Sequence, residues 1–488
     1  MIRSAVNDLL GAYDKLIMDP VHGGIPLYRH EIAVIDHPLF QRLRNICQND
    51  ILSLVFPGAT HSRFLHSIGV MHVGSRMFRA MIDAYLRERQ LSDHSDLTLS
   101  QLDAIDYLTK VIRLGCLLHD SGHSSFSHQF TKARRIHELM AHPTRFEALW
   151  RGEDYTRYYP QPPRELEHEH YSVRVAHEVL SAIALSNAGL APEDILGVME
   201  TTDVQPSEAF CRHATTFWSF IAGEDASSGV LDQDDVPHMV MGLLSSIVSG
   251  EIDADRADYM LRDGFHSSVT IGGFNLDHLL SNLRFGWDVG SRWLGLAITH
   301  KGLGALEDFV YSRHQMYRKV YAHKTALGFD WLLREAINEV LDEPEIFDWV
   351  DTCLSNMTDF TELTDSFFWE AFRRYARKHP KSYSKCIVDR IKLDHLDTRD
   401  NLSADEISAH CDYLVRALGL NPGDVVTCSM RARFSNIQDN FNGIKVLIRD
   451  PVTRTRSLKQ ITSVSEFFSK FSDGTITHFY HQPTLLRR

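Results

Sequence analysis

The chain lacks the features that mark membrane and secreted proteins. No apolar run approaches the roughly 20 residues that a membrane-spanning helix needs. Residues 1–20 carry early acidic residues and no long apolar stretch, which is unlike a signal peptide. The seven cysteines are odd in number and scattered, with no CxxC pair. A reducing, cytoplasmic compartment with no membrane partner is therefore predicted.

Positive charge is also scarce, because 51 lysines and arginines face 64 acidic residues and the net charge is −13. A chain this acidic is a poor general nucleic-acid binder, so a polyanion would need a local cationic pocket. Nucleic-acid binding keeps only weak support, and we expect its candidate basic residues to be a solvated surface. They are Arg454, Arg456, Lys459, Arg487 and Arg488.

The most abundant pattern in the chain is apolar spacing typical of helices. Across residues 36–345 most apolar side chains recur at helical spacing, with Asp36 as the predicted N-cap of an early helix. Residues 287–300 alternate and contain glycine and tryptophan, which predicts a hairpin. Helical spacing also covers residues 304–341.

The character of the chain changes near residue 420. Residues 425–431 and 444–449 alternate as strands, and Ser463 with Glu466 forms a predicted capping box for a short helix. The predicted fold class is mostly α, with a helical core at 1–345, a helical extension at 346–420 and a small α+β region at 421–488. No internal repeat or low-complexity segment is found.

Three short motifs predict one metal site. RFLHSIG carries His66, LLHDSGH carries the adjacent pair His119 and Asp120, and DADRADY carries Asp255. Two imidazoles and two carboxylates suit a divalent metal such as Fe, Mn, Ni, Zn or Mg. Arg63 lies one helical turn before His66, so the same helix face presents a ligand and a cation. Taken singly, each residue is more often a core histidine, a helix cap or a solvated arginine; the ordered set is what predicts a site.

These motifs resemble those of the HD phosphohydrolase superfamily. The longer stretches IMDPVHGGIPLYRHEIAVIDHPLFQRLRNI, VFPGATHSRFLHSIGV, LLHDSGHSSFSHQF, HEHYSVRV, DADRADYMLRD and SRHQMYRKVYAHK resemble the HD-domain deoxynucleoside triphosphate triphosphohydrolases. The resemblance is to the sterile-alpha-motif/HD-domain branch. We expect no separate sterile-alpha-motif domain, since only 18 residues precede Asp19.

The resemblance implies roles for further residues. His123 and His128 would contact the α-phosphate, and His168, followed by Glu169, would be the general acid for the leaving 5′-oxygen. A histidine titrates near neutral pH and a neighbouring acid can tune it, which supports that role independently. Implied phosphate-binding cations are Arg63, Arg256 and Arg313. Implied sugar-reading residues are Gln48, Tyr259, Asp263 and Tyr321.

The chain departs from the family pattern at three places. Ser124 and Ser125 stand where the family has glycine and proline, and Thr131 stands where it has an acid of its proton relay. Asn49 replaces the apolar residue that follows the sugar-reading glutamine. None of these departures changes a metal ligand. Thr131 alters the proton path that the family pattern predicts, and Asn49 alters the predicted exclusion of ribonucleotides.

A regulatory site is also implied. Lys15, Asp36, Gln41 and Arg44 match positions that hold an activating GTP or dNTP between subunits of a homo-oligomer, either a dimer or a tetramer. The alternative is that Asp36 caps a helix and the others face solvent.

The preferred function is hydrolysis of a dNTP to a deoxynucleoside and inorganic triphosphate. Two alternatives stay open: an HD-type phosphodiesterase or nuclease on the same metal site, and a nucleotide- or nucleic-acid-binding scaffold. The intact ligand set argues against an inactive site.

Overall fold

A computed structural model gives the fold of the chain. It describes residues 12–91, 96–142, 144–153, 155–159, 161–163, 165–199, 204–223, 235–269, 273–432, 444–450, 452–453, 456–470 and 474–486. Helices dominate these residues and the sheets are small, so the predicted mostly α fold is confirmed.

The helices carry the core. They are α1 Arg29–Ile35, α2 Pro38–Gln41, α3 Arg63–Glu88, α4 Leu99–Leu118, α5 Ser127–Lys132, α6 Arg134–Met140, α7 Arg145–Trp150, α8 His168–Ala182, α9 Pro192–Met199, α10 Glu208–Ala222, α11 Asp235–Val248, α12 Ala254–Ser267, α13 Leu276–Ser281, α14 Leu303–Met316, α15 Lys324–Val340, α16 Pro344–Ser355, α17 Met357–Phe360, α18 Asp365–Lys378, α19 Tyr383–Val388, α20 Ala404–Leu418 and α21 Glu466–Lys470.

Within the described residues, three small sheets accompany the helices. Their strands are β1 Lys15–Asp19, β2 Gly23–Leu27, β3 Leu283–Asp288, β4 Trp293–Thr299, β5 Asp394–Asp400, β6 Val425–Ala432, β7 Lys445–Arg449, β8 Arg456–Gln460 and β9 Gly474–His481. β1 pairs with β2, the second sheet has the order β3-β4-β7-β8, and the third has the order β5-β9-β6. The β3–β4 pair confirms the predicted hairpin, and β6 and β7 confirm the predicted C-terminal strands.

The centre of the molecule is the packing of α3 against α4. The C-terminal half of α4 is buried on all sides, from Val111 to Leu118, and its sequence is apolar apart from Arg113, which pairs with the buried Glu31. α3 buries Phe64, Ile68 and Met71 at helical spacing. α12 packs on α3, and these three helices deliver the motif residues to one place.

The structure corrects three local predictions. Asp36 is the C-cap of α1 rather than an N-cap, and His37 caps α2 instead, accepting from the backbone N–H of Leu39. The predicted helical segment over 304–341 is broken by a π-helical turn at Tyr317–Tyr321.

The third correction concerns the predicted capping box. The Ser463 hydroxyl donates to the Gln460 carbonyl instead of capping a helix. The Ser465 hydroxyl accepts from Phe468 N at the start of α21.

The C-terminal strands pack onto the helical core. β7 runs parallel to β4. On β9, His478 Nε2 lies 2.9 Å from the Ala322 carbonyl and the Tyr480 hydroxyl donates to the Lys324 carbonyl. The proposed unit boundaries at 345 and 420 are therefore crossed by sheet and side-chain contacts.

The structure also bears on the cysteines and on membrane-spanning helices. None of the seven cysteines, all of which lie in the described ranges, forms a disulfide. Within the described ranges, none of the helices combines the length and the apolar character that crossing a bilayer requires.

Candidate metal and phosphate site

The four predicted metal ligands come together at one point. His66 lies near the start of α3, His119 and Asp120 follow the end of α4, and Asp255 lies in the first turn of α12. One ligand atom from each lies within 4.8 Å of all the others. The helix packing thus assembles residues as far apart in sequence as His66 and Asp255.

The donor atoms of this cluster are free to bind an ion. His66 Nε2 and His119 Nε2 are buried and face only the carboxylates of the cluster itself, with Asp255 Oδ1 at 3.0 Å and 3.7 Å respectively. Their other ring nitrogens are occupied, because His66 Nδ1 lies 2.8 Å from Asp258 Oδ2 and His119 Nδ1 lies 2.8 Å from the Cys116 carbonyl. Metal-binding histidines are usually oriented in this way, so the residues present fit a divalent cation.

Asp258 is the positioning residue behind His66. It also bonds His22 Nε2 at 2.6 Å and the Arg262 guanidinium at 2.8 Å, and Arg262 reaches Asp19. This network was missed in the sequence, although the DADRAD motif places Asp258 one helical turn after Asp255. Gly69 makes room for it, because a Cβ there would lie 2.0 Å from Asp258 Oδ1.

The charges of the cluster are strongly coupled. Burial lowers the pKa of His66, but hydrogen bonds with Asp255 and Asp258 outweigh it and raise that pKa to about 10. Burial disfavours the charged form of Asp120, yet His119, His123 and Arg63 hold the pKa of Asp120 well below its usual range. The carboxylates are thus ionised, and a cation would compete with protons for the imidazoles.

Three more predicted residues form a second cluster against the first. The rings of His123 and His168 are stacked with centroids 3.9 Å apart, and the His128 ring lies 5.0 Å from His123. His123 Nε2 lies 3.5 Å from Asp120 Oδ1. Gly122 permits this arrangement, because a Cβ there would lie 2.0 Å from the backbone nitrogen of Ser172 on α8.

His168 and Glu169 form the predicted acid pair at the start of α8. His168 Nδ1 lies 3.1 Å from Glu169 Oε2. Burial lowers the pKa of His168 to about 4, and it raises the pKa of Glu169 to about 7. In the free protein at neutral pH the imidazole is therefore neutral.

A cavity of about 470 Å³ adjoins both clusters. Arg63 and His128 line it; Arg63 also bonds Asp120 and the Ser127 hydroxyl, and His128 packs against His123 and His168. All four predicted sugar-reading residues line the same cavity, namely Gln48, Tyr259, Asp263 and Tyr321.

Two of the predicted sugar-reading residues bond each other. The Tyr321 hydroxyl donates to Asp263, whose other oxygen lies 2.7 Å from His61 Nε2. His61 was not singled out in the sequence. The network holds both residues in place on the cavity wall.

The other two predicted cations lie apart from this lining. Arg256 lines a different cavity, of about 680 Å³. Its Nη1 atom lies 3.3 Å from Asp253 Oδ2. Arg313 is 5% exposed, with its guanidinium carbon 5.6 Å from the Tyr317 ring centroid. Only Arg63 of the three thus reaches the cavity that adjoins the metal cluster.

The departures from the family pattern are visible in the structure. Thr131 uses its hydroxyl to donate to the His128 carbonyl, so position 131 holds no relay acid. Ser124 and Ser125 are buried before α5. Asn49 lies on the cavity wall, with its amide nitrogen buried and unpartnered among the described residues.

The predicted regulatory residues lie at the surface or near it. Lys15 is exposed on β1 and Asp36 is exposed at the end of α1. The Arg44 guanidinium bonds the Gln41 side chain at 2.7 Å and stacks 3.5 Å from the Phe64 ring centroid. Gln41 also donates to the Ile35 carbonyl, so these two side chains have local partners.

The basic residues considered for nucleic-acid binding are only partly visible. Arg456 pairs with Glu88 at 2.6 Å, and Lys459 is exposed on β8. The other three, Arg454, Arg487 and Arg488, lie outside the described residues.

Comparison with known proteins gives relatives at low identity. No protein-family model matches the chain. The deoxynucleoside triphosphate triphosphohydrolase SAMHD1 is 28% identical over 369 residues in both Bos taurus and Homo sapiens, which is 73% of this chain. An uncharacterized protein of Methanocaldococcus jannaschii is 25% identical over 376 residues, or 76% of this chain. These matches confirm the resemblance drawn from the motifs.

The matched region spans 54%, 50% and 60% of the bovine, human and archaeal proteins. This chain therefore covers about half the length of the curated relatives it matches.

Solved structures extend the likeness to the whole chain. A hypothetical protein from Aquifex aeolicus has a TM-score of 0.63 at 22% identity and covers 96% of this chain and 96% of its own. A phosphohydrolase from Bacteroides thetaiotaomicron has a TM-score of 0.61 at 20% identity, covering 96% of this chain and 100% of its own. At this identity the likeness establishes the fold.

Proposed function

We propose that the chain hydrolyses deoxynucleoside triphosphates to a deoxynucleoside and inorganic triphosphate with a divalent metal ion. The observation that carries the proposal is the cluster of His66, His119, Asp120 and Asp255 beside three histidines and an adjoining cavity. The relatives that act on deoxynucleoside triphosphates support the choice of substrate.

The proposed reaction cleaves the bond to the sugar. A water oxygen adds to the α-phosphorus, and the bond from that phosphorus to the 5′-oxygen breaks. A proton passes to the 5′-oxygen, so the products are a deoxynucleoside and inorganic triphosphate. A divalent cation held by the four ligands would supply positive charge against the α-phosphate as a Lewis acid.

His168 is the proposed proton donor. Its low pKa keeps it neutral in the free protein, and the negative charge of a bound triphosphate would raise that pKa. Glu169, in contact with His168 Nδ1, would replace the donated proton. His123 and His128 would hydrogen-bond the α-phosphate from the same cluster.

The remaining roles concern binding. Arg63, with Arg256 and Arg313 farther out, would balance the charge of the phosphates. Gln48, Tyr259, Asp263 and Tyr321 would surround the sugar. A tyrosine ring packed under C2′ leaves little room for a hydroxyl, so a deoxy preference is proposed, relaxed by the polar Asn49.

The proposed regulation uses the N-terminal surface. Lys15, Asp36, Gln41 and Arg44 would bind an activating GTP or dNTP between subunits, with Asp36 accepting from the guanine N1–H and amino group. Three large apolar side chains on or beside β1 support an interface there: Tyr13 is 55%, Leu16 46% and Met18 72% exposed.

The test is product analysis. Purified protein of known metal content is incubated with each dNTP and each NTP, and nucleoside, nucleotide, pyrophosphate and triphosphate are resolved. We expect deoxynucleoside with triphosphate, and a higher kcat/KM for dATP than for ATP. Nucleoside monophosphate with pyrophosphate, or cleavage only of a phosphodiester substrate, would contradict the proposal and favour the phosphodiesterase alternative.

A further inference from the structure

A set of residues in the lining of the 470 Å³ cavity, termed the wall, carries polar atoms that lack partners among the described residues. Gln48 Oε1, Asn49 Nδ2, Asp50 Oδ1 and Gln129 Oε1 are buried, and no hydrogen bond within the described structure satisfies them. Gln129 is only 6% exposed. Buried polar atoms are nearly always paired, so this wall is suited to a ligand that brings complementary polar groups.

This wall also carries two acidic side chains that no direct hydrogen bond or ion pair satisfies in the described structure. Asp50 and Asp330 both line the cavity, and neither makes a hydrogen bond or ion pair with any described residue. Burial raises the pKa of Asp330 to about 7 against the positive charges of Arg334 and Lys132. Burial also raises the pKa of Asp50, and the charge of Asp330 adds to the effect. The two side chains therefore lie close enough to influence each other.

The backbone at Asp50 is held in an uncommon conformation. Its φ is +49°, in the left-handed region where residues other than glycine are infrequent. Such conformations persist where the surrounding structure or a function requires the side-chain direction. Here the conformation belongs to a residue whose carboxylate lies on a cavity wall.

The neighbouring charges indicate which ligand groups fit. Lys132 and Arg334 already act on Asp330, and Lys132 lines the cavity, so a second metal ion would be repelled. Neutral N–H donors are the remaining partners for two carboxylates. Among the four DNA bases, only guanine presents two adjacent kinds of N–H donor, N1–H and the 2-amino group, beside one acceptor, O6.

We propose that Asn49, Asp50, Gln129 and Asp330 form a base-reading wall that selects guanine. Asp50 and Asp330 accept from N1–H and the 2-amino group, and the Asn49 amide donates to O6. Thymine offers one N–H between two carbonyls, so it leaves one carboxylate unpaired. This inference rests on the proposed function, because it names the base of the same substrate.

The test compares dGTP, dITP and dTTP as substrates of the unchanged protein. dITP keeps O6 and N1–H but lacks the 2-amino group, so it isolates one hydrogen bond without altering the protein. We expect kcat/KM to fall in the order dGTP, dITP, dTTP, with at least about tenfold between dGTP and dTTP.

Variants then assign the effect to the wall. Asp50→Asn and Asp330→Asn should each lower the dGTP-to-dTTP ratio of kcat/KM by about tenfold. The matched control Asp348→Asn, at an exposed position of α16, should leave the ratio unchanged. Equal kcat/KM for dGTP and dTTP, or asparagine variants that slow both by the same factor, would overturn the inference.

Calorimetric binding of dGTP and dTTP separates the two proposals. Selective dGTP binding that Asp50→Asn abolishes, with no hydrolysis of any dNTP, would sink the proposed function and leave the base-reading wall standing. Equal hydrolysis of all four dNTPs would support the proposed function and overturn the base-reading wall. Failure to bind any dNTP would overturn both proposals.

Discussion

The metal cluster and the base-reading wall are both polar regions of one site, but they are prepared differently. In the metal cluster each histidine has one ring nitrogen held by a protein acceptor, and Asp258 is fixed by His22 and Arg262. On the wall, polar atoms of Asn49 and Asp50 have no described partner. The protein alone organises the metal ligands, whereas the wall requires its ligand to satisfy it.

Among the variants considered, removal of a metal ligand should have the largest effect, because it disrupts the preorganised cluster itself. We expect Asp120→Ala to lose the bound metal and at least about 10³-fold of the hydrolysis rate, because a four-ligand site loses a ligand and a charge. Metal analysis and single-substrate kinetics measure the two losses, with circular dichroism as the check on folding. Full activity in metal-free Asp120→Ala protein would contradict the metal assignment.

The next effect separates proton transfer from metal binding. His168→Ala should keep the metal and the substrate affinity but lower kcat by about 10²–10⁴-fold, the usual contribution of general acid catalysis. A Glu169→Gln control should lower kcat less, since the imidazole remains. An unchanged kcat in His168→Ala would move the acid role to His123 or His128.

A positioning residue should give an intermediate effect. Asp258→Asn is expected to weaken metal binding by about 10–100-fold, as losses of residues behind a ligand typically do. It should also lower the pKa of His66 and shift the pH profile of metal binding, which a purely structural role would not do. Binding is measured on the folded fraction. An unchanged affinity and pH profile would remove Asp258 from this role.

Acid should weaken the metal cluster gradually. Because the free His66 has a raised pKa of about 10, metal binding displaces a proton. The apparent metal affinity should then fall about tenfold for each unit of decreasing pH per proton displaced. Metal retention measured between pH 8 and pH 6 tests whether the affinity falls on acidification, as expected. Retention that is flat or rises on acidification would contradict it.

The smallest expected effect lies outside both regions. GTP or dGTP should increase the oligomer mass and raise the hydrolysis of a second dNTP at least about fivefold, and Asp36→Ala should abolish this while sparing metal content. Light scattering and kinetics with and without nucleotide give the answer. If neither mass nor rate responds to any nucleotide, Asp36 is only the C-cap of α1 and the enzyme is constitutive.

The sequence located the metal cluster better than its surroundings for a physical reason. His119 and Asp120 are adjacent in sequence, and His66 and Asp255 each sit in a short motif with an arginine within one helical turn, so local patterns mark these residues. His22, His61 and Asp330 acquire their roles only through contacts between distant elements, which no local pattern encodes. The β1–β2 hairpin went unpredicted because residues 15–27 lack clear alternation.

The attachment of β9 to the start of α15 has a consequence for how the protein is made. Ala322 and Lys324, next to the cavity residue Tyr321, are tied to His478 and Tyr480. The metal ligands leave the ribosome long before β9 does, and contacts between such distant residues form late in folding. We therefore expect His66, His119, Asp120 and Asp255 to come together while the part of the cavity next to Tyr321 still lacks its contacts with β9. We expect the side of the cavity that Tyr321 lines to be completed only when synthesis reaches β9.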